Sequence, residues 1–188
     1  MRGTRWSLTL GICLVVSACA IVRAPTRDEL AALDNPPADV AAKVDGLFAR
    51  ALAWYDAIEA ELLPQGRPLT DAEQDKARQL GVIQPERVRV VILEPFPLPE
   101  DPELLEAARS YGLGSRLEGG RTIGQVIMLK PRYRDSSTIL AHELIHVTQH
   151  DRLGRAAFLR RYLVELEMMG YARAPLELEA YSRQNAAE

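Results

Sequence analysis

Asp135-Ser136-Ser137-Thr138-Ile139-Leu140-Ala141-His142-Glu143-Leu144-Ile145-His146-Val147-Thr148-Gln149-His150-Asp151-Arg152-Leu153-Gly154 is the stretch that decides how this chain is read. Asp135 or Ser136 can cap a helix start, and Gly154 stands where a helix end favours glycine. Neither proline nor glycine interrupts the run between them. Ile139, Leu140, Leu144, Ile145 and Val147 would bury such a helix. Within it, His142-Glu143-Leu144-Ile145-His146 matches H-E-x-x-H, and all 3 histidines of the chain fall between positions 142 and 150. Residues four apart on a helix share a face, about 6 Å apart along the axis. Both imidazoles can therefore reach one tetrahedral Zn²⁺. Glu143, one step round the helix, can face the water of such a site and act as general base.

Outward from this helix, the 188 residues are those of one ordinary domain: 47% hydrophobic, 26% charged, net charge −3. A nucleic-acid binder would carry a basic surplus, so no nucleic-acid partner is expected. The two cysteines, Cys13 and Cys19, lie near the N-terminus, which excludes a disulfide framework or a cysteine-built zinc finger in the body of the chain.

Upstream, helices are expected over 27–33, 38–63, 70–80 and 101–111. The long second one carries Val40, Val44, Leu47, Ala51, Tyr55, Ile58 and Leu62 at helical spacing. Thr70 and Glu73 form the pattern of a capping box. Residues 87–93 read as a strand that Pro95, Pro97 and Pro99 end. Residues 112–124 hold five glycines and read as loop or hairpin, and 122–129 reads as a second strand. A third strand near 116–118 would complete a small sheet. Downstream of Ser136 the chain reads helical, with breaks at Gly154, Gly170 and Pro175. The class is α+β, mainly helical, with a small antiparallel or mixed sheet.

A catalytic zinc needs a third protein ligand and an open position. The metzincin extension would place Gly at 149 and His at 152, where this chain has Gln149 and Arg152. Pro175-Leu176-Glu177-Leu178-Glu179-Ala180-Tyr181 opens a later helix, and there the chain resembles small gluzincin metallopeptidases, whose second motif reads E-x-x-A-D. That resemblance implies a minimal gluzincin-like metallopeptidase domain over 38–188 that hydrolyses peptide bonds. It assigns the third zinc ligand to Glu177, with Glu179 as the competitor. Two residues apart on a helix, the two point about 200° apart and cannot share the role. Tyr181 replaces the family's Asp, which often orients a ligand histidine.

His142–Gln149 also resembles the H-E-L-x-H-x-x-Q form of bacterial minimal metallopeptidases. Gln149 either hydrogen-bonds a ligand or caps the helix face. His150 either reaches the rim of the site, where it could bind an oxyanion, or is a surface histidine. In the family an edge strand before the metal-binding helix pairs with extended substrate, and residues 125–129 are placed for it. Tyr162, Tyr171 and Tyr181 are candidates to polarise the substrate carbonyl. Arg132, Arg134, Arg160 and Arg161 make a basic patch or a solvated face. The same residues also admit a non-catalytic envelope lipoprotein that binds metal or a partner.

The N-terminus carries an address. Arg2 and Arg5 precede an uncharged run over 7–22, a pattern of bacterial secretion signals, too short for a membrane span. Val16-Ser17-Ala18-Cys19 resembles the lipobox of bacterial lipoproteins. That implies a signal over 1–18, a lipidated Cys19 on a tether over 19–37, and a periplasm-facing membrane anchor in the cell envelope. Ala20, rather than Asp, points to the outer membrane.

Overall fold

The computed structural model describes residues 23–185. Cys19 and the signal lie outside the described residues. The elements are α1 (Arg27–Ala32), α2 (Ala38–Leu62), β1 (Arg67–Pro68), α3 (Asp71–Leu80), β2 (Arg89–Ile92), α4 (Pro102–Ser110), β3 (Gly120–Ile123), β4 (Val126–Leu129), α5 (Ser137–Leu153), α6 (Arg155–Met169) and α7 (Pro175–Arg183). The fold is α+β and mainly helical, around one mixed sheet of order β1-β2-β4-β3. No helix among the described residues is long and apolar enough to cross a membrane.

Local chemistry sets the helix ends. Thr70 and Glu73 close a reciprocal capping box on α3. Asp101 accepts from Leu104 N at 2.9 Å ahead of Pro102, whose missing N–H costs nothing at a first turn. Ser136 accepts from Ile139 N at 3.3 Å to start α5, and Gly154, at φ +79°, stops it.

β2 and β4 run parallel in the middle of the sheet, with Val90 opposite Ile127 and Val91 opposite Met128. Strand alternation sends these pairs to opposite faces. Val91, Ile123, Val126 and Met128 join a core with α2, α4 and α6. Val90, Ile127 and Leu129 join a second core with α3, α5 and α7. The sheet is thus a partition between two helical layers.

The strand expected over 122–129 is instead a hairpin. Gly124, at φ +59°, occupies the first central position of a two-residue turn, where a type II′ turn requires glycine. The third strand begins at Gly120 rather than near 116–118, and β1 is a two-residue edge that composition did not announce. The hairpin also relocates the exposed edge. Val126–Leu129 is interior and buried, and β3 is the outer strand beside α5.

The expected tether over 19–37 is docked over its described part. Arg173 holds Arg23 O at 3.0 Å and Glu29 at 2.8 Å, and Leu33 is buried against the core.

Candidate metal centre

α5 is buried nearly all round from Leu140 to Val147, because it lies between the sheet and α6 and α7. His142 and His146, one turn apart, bring their Nε2 atoms to 3.2 Å of each other. α7 supplies the third group. Gly170 at φ +70° ends α6, and Pro175 restarts the chain as α7. Leu176 N donates to Glu165 Oε2 at 2.8 Å, which pins the first turn of α7 to α6. Ala180, fully buried against the α5 side, lets the two helices approach. Glu177 then sits with Oε2 3.3 Å from His142 Nε2 and Oε1 3.4 Å from His146 Nε2. One ligand atom from each of the three residues lies within 4.8 Å of the others. The group could hold a metal ion.

The surrounding hydrogen bonds fit that role. Gln149 Nε2 donates to Leu176 O at 2.9 Å and to Glu179 Oε2 at 3.1 Å. Both partners are pure acceptors, so the amide is oriented and its Oε1 must face His146 Nδ1, at 2.8 Å. Nδ1 therefore carries the proton, and the lone pair stays on Nε2, toward Glu177. Gln184 Oε1 stands 3.1 Å from His142 Nδ1 and can do the same there. Glu177 Oε2 is buried with no hydrogen-bond donor of its own, an orphaned carboxylate oxygen that a cation would satisfy. Tyr162 donates to Oε1 at 2.6 Å. Burial opposes ionisation of the Glu177 carboxyl, but the imidazoles beside it, His146 first and then His142, and the hydrogen bond from Tyr162 hold it down to about 2.

Glu143 is 5% exposed, and burial pushes its carboxyl up. Thr122 Oγ1, on the edge strand, donates to Glu143 Oε2 at 2.7 Å. Next to it Gly120 has no room for a side chain: a Cβ there would stand 2.6 Å from Glu143 Oε1. Edge strand and carboxylate therefore meet backbone to side chain.

The remaining candidates separate cleanly. Glu179 lies outside the cluster, bound to Gln149, Arg152 and Arg183. Gln149 bonds a candidate ligand, as the first of its two readings had it. Tyr181 packs against His142 with ring centroids 4.6 Å apart and planes tilted by 59°, and borders the cavity beside the cluster. Gln184, three residues on, rather than residue 181 meets His142 Nδ1.

His150 is not at the site rim. It is buried, its Nε2 meets the Tyr55 hydroxyl and its ring lies 3.7 Å from that of Phe158. Each four-residue step on a helix turns about 40° further, so two steps from His142 carry the side chain round into the α2–α6 interface. Burial lowers its pKa to about 3 and keeps it neutral. Three of the four arginines are tied to separate partners. Arg160 pairs with Asp45, Arg161 with Asp34 and Glu165, and Arg132 bonds Arg116 O. Of the three tyrosines, Tyr162 is committed to Glu177, while Tyr171 and Tyr181 share a 3.3 Å contact between hydroxyls.

Sequence reasoning missed Thr122, Gly120 and Gln184 as partners of the cluster, and gave Tyr162 another part, at the substrate carbonyl, where it bonds Glu177. The doublet Gly119-Gly120 ahead of a strand was the available signal for a close backbone approach. Beside the cluster opens a cavity of about 600 Å³ that reaches between β3, α2, α4 and α6.

No protein-family model, curated protein or solved structure matches the chain.

Proposed function

We propose that the chain is a zinc-dependent metallopeptidase of the gluzincin kind, held in the bacterial cell envelope by a lipid on Cys19. The observation that carries this reading is the buried His142–His146–Glu177 cluster with Glu143 and an edge strand beside it. Two imidazoles and one carboxylate form the donor set of a catalytic zinc rather than of calcium or magnesium. Zn²⁺ held there would act as a Lewis acid on a carbonyl and lower the pKa of water toward about 7.

The chain's own residues supply the rest. Glu143 takes a proton from the attacking water and later gives it to the leaving amine. Thr122 holds Glu143 Oε2, which leaves Oε1 for that transfer. Gln149 and Gln184 keep the two imidazoles in the ligating tautomer. β3 offers an unpaired backbone edge to an extended peptide, which gives affinity with little dependence on side-chain identity.

The test is Glu143→Gln, with metal content and hydrolysis of a broad peptide library measured together. Zinc stays stoichiometric and activity falls about 10²–10⁴-fold. Equal activity in the two proteins overturns the catalytic reading.

A further inference from the structure

The cavity beside the cluster is larger than a site for one side chain needs. About 150 Å³ holds a benzene ring, and this space has about 600 Å³. It is also long. Its wall on α6 runs from Phe158 to Leu166 and its wall on α2 from Leu47 to Tyr55, each about 12 Å of helix. Small residues open it: Ala51 on α2 faces a volume that Ala107 and Ala108 on α4 also leave free.

The walls on α2, α4 and α6 are mainly apolar, and two of their hydroxyls are already engaged. Tyr55 turns its hydroxyl to His150 and Gly124, and Tyr111 turns its own to Glu167 at 2.7 Å. The other deep walls are Leu47, Leu104, Leu159, Leu163 and Leu166. His142, Glu143 and Glu177 line the same space from α5 and α7, and the paired Glu118 and Arg121 line it beside β3. Leu117, 92% exposed, lines it too and gives the entrance an apolar sill. A polar peptide segment buried in the deep part would lose its hydrogen bonds to water unreplaced. A hydrocarbon loses nothing there.

From these features we infer that the cavity binds a linear acyl chain, longer than a protein side chain, with the acyl carbonyl toward the histidine–glutamate end. Resting on the proposed peptidase activity, this names the substrate class: a peptide or protein acylated close to the bond that is cut.

Binding is measured by calorimetry on Glu143→Gln within residues 20–188, which keep every contact described above because all lie within 23–185. The probes are octanoyl-, decanoyl-, dodecanoyl- and tetradecanoyl-glycyl-leucinamide, with dodecanoic acid and phenylalanyl-glycyl-leucinamide as comparisons. Affinity rises about fourfold per methylene until the cavity is full, then levels off. Ala107→Phe moves the plateau to shorter chains at unchanged metal content, and the milder Ala108→Leu does the same if the first variant folds poorly. Tight binding of the acyl peptides but not dodecanoic acid assigns the chain to an acylated substrate; equal binding of the acid assigns it to a free lipid and overturns the substrate class. Affinity that ignores chain length, a phenylalanyl peptide as tight as the dodecanoyl one, or filling variants without effect each overturn the site itself. Length-dependent binding with no hydrolysis by the wild type sinks the peptidase reading, and the substrate class with it, and leaves the acyl site standing. Hydrolysis indifferent to acylation sinks this one alone.

Discussion

The two helical layers on either side of the sheet are built to different ends. On the α3–α5–α7 side, Leu144, Ile145, Val147 and Ala180 are wholly buried, and the backbone of α7 is tied to α5 and α6 by Gln149 and Glu165. On the α2–α4–α6 side, alanines and leucines border a space of about 600 Å³. The packed layer fixes three ligand atoms, which needs positions held to within a fraction of an ångström. The hollow layer lends two α6 side chains to that task, Tyr162 to Glu177 and Glu165 to the first turn of α7, and elsewhere leaves room. The lesson is that one sheet can separate the part of a protein that must be rigid from the part that must be open.

That contrast can be broken by truncating a leucine on each side. Leu144→Ala is expected to cost about 3–5 kcal/mol, since it empties a site with neighbours all round. Leu163→Ala, whose side chain already borders open volume, is expected to cost about 2 kcal/mol. Chemical denaturation of both variants gives the two figures. Equal costs would mean that the hollow side closes up in solution.

The next effect is smaller and lies wholly in the packed layer. Gln149→Leu keeps the volume but removes the acceptor at His146 Nδ1 and the donors to Leu176 O and Glu179. Metal affinity is expected to fall about 10–100-fold, as read by competition with a zinc-sensitive dye. Unchanged affinity would mean that the amide does not set the imidazole tautomer.

How much of this was legible beforehand follows the same division. The rigid layer could be read because its constraints are local: a serine cap, a glycine stop and two histidines at helical spacing define α5 without knowledge of anything distant. Glu177 was legible only through likeness to a known motif, since nothing in its own neighbourhood distinguishes it from Glu179. The partition between them is made by α7 docking on α5. Neither reading of His150 held: the drift of the helix turns it from the rim, and α2 and α6, which are distant in sequence, cover it. The hairpin was read as one strand because Gly124 can be either a strand interruption or a turn, and only its positive φ decides. The hollow layer left no trace at all. Ala51, Ala107 and Ala108 keep the same apolar periodicity whether the helices touch or stand apart, and they come from segments far apart in the chain. Volume is a property of the assembled layers.

One measurement bears on the whole account: zinc content of residues 20–188 after purification without chelators, for the wild type, Glu177→Ala and Glu179→Ala. The geometry around His142 and His146 predicts about one zinc per chain in the wild type and in Glu179→Ala, and none in Glu177→Ala. A wild-type protein without stoichiometric metal, or one that keeps its zinc when Glu177 is removed and loses it when Glu179 is, would contradict the assignment of the centre.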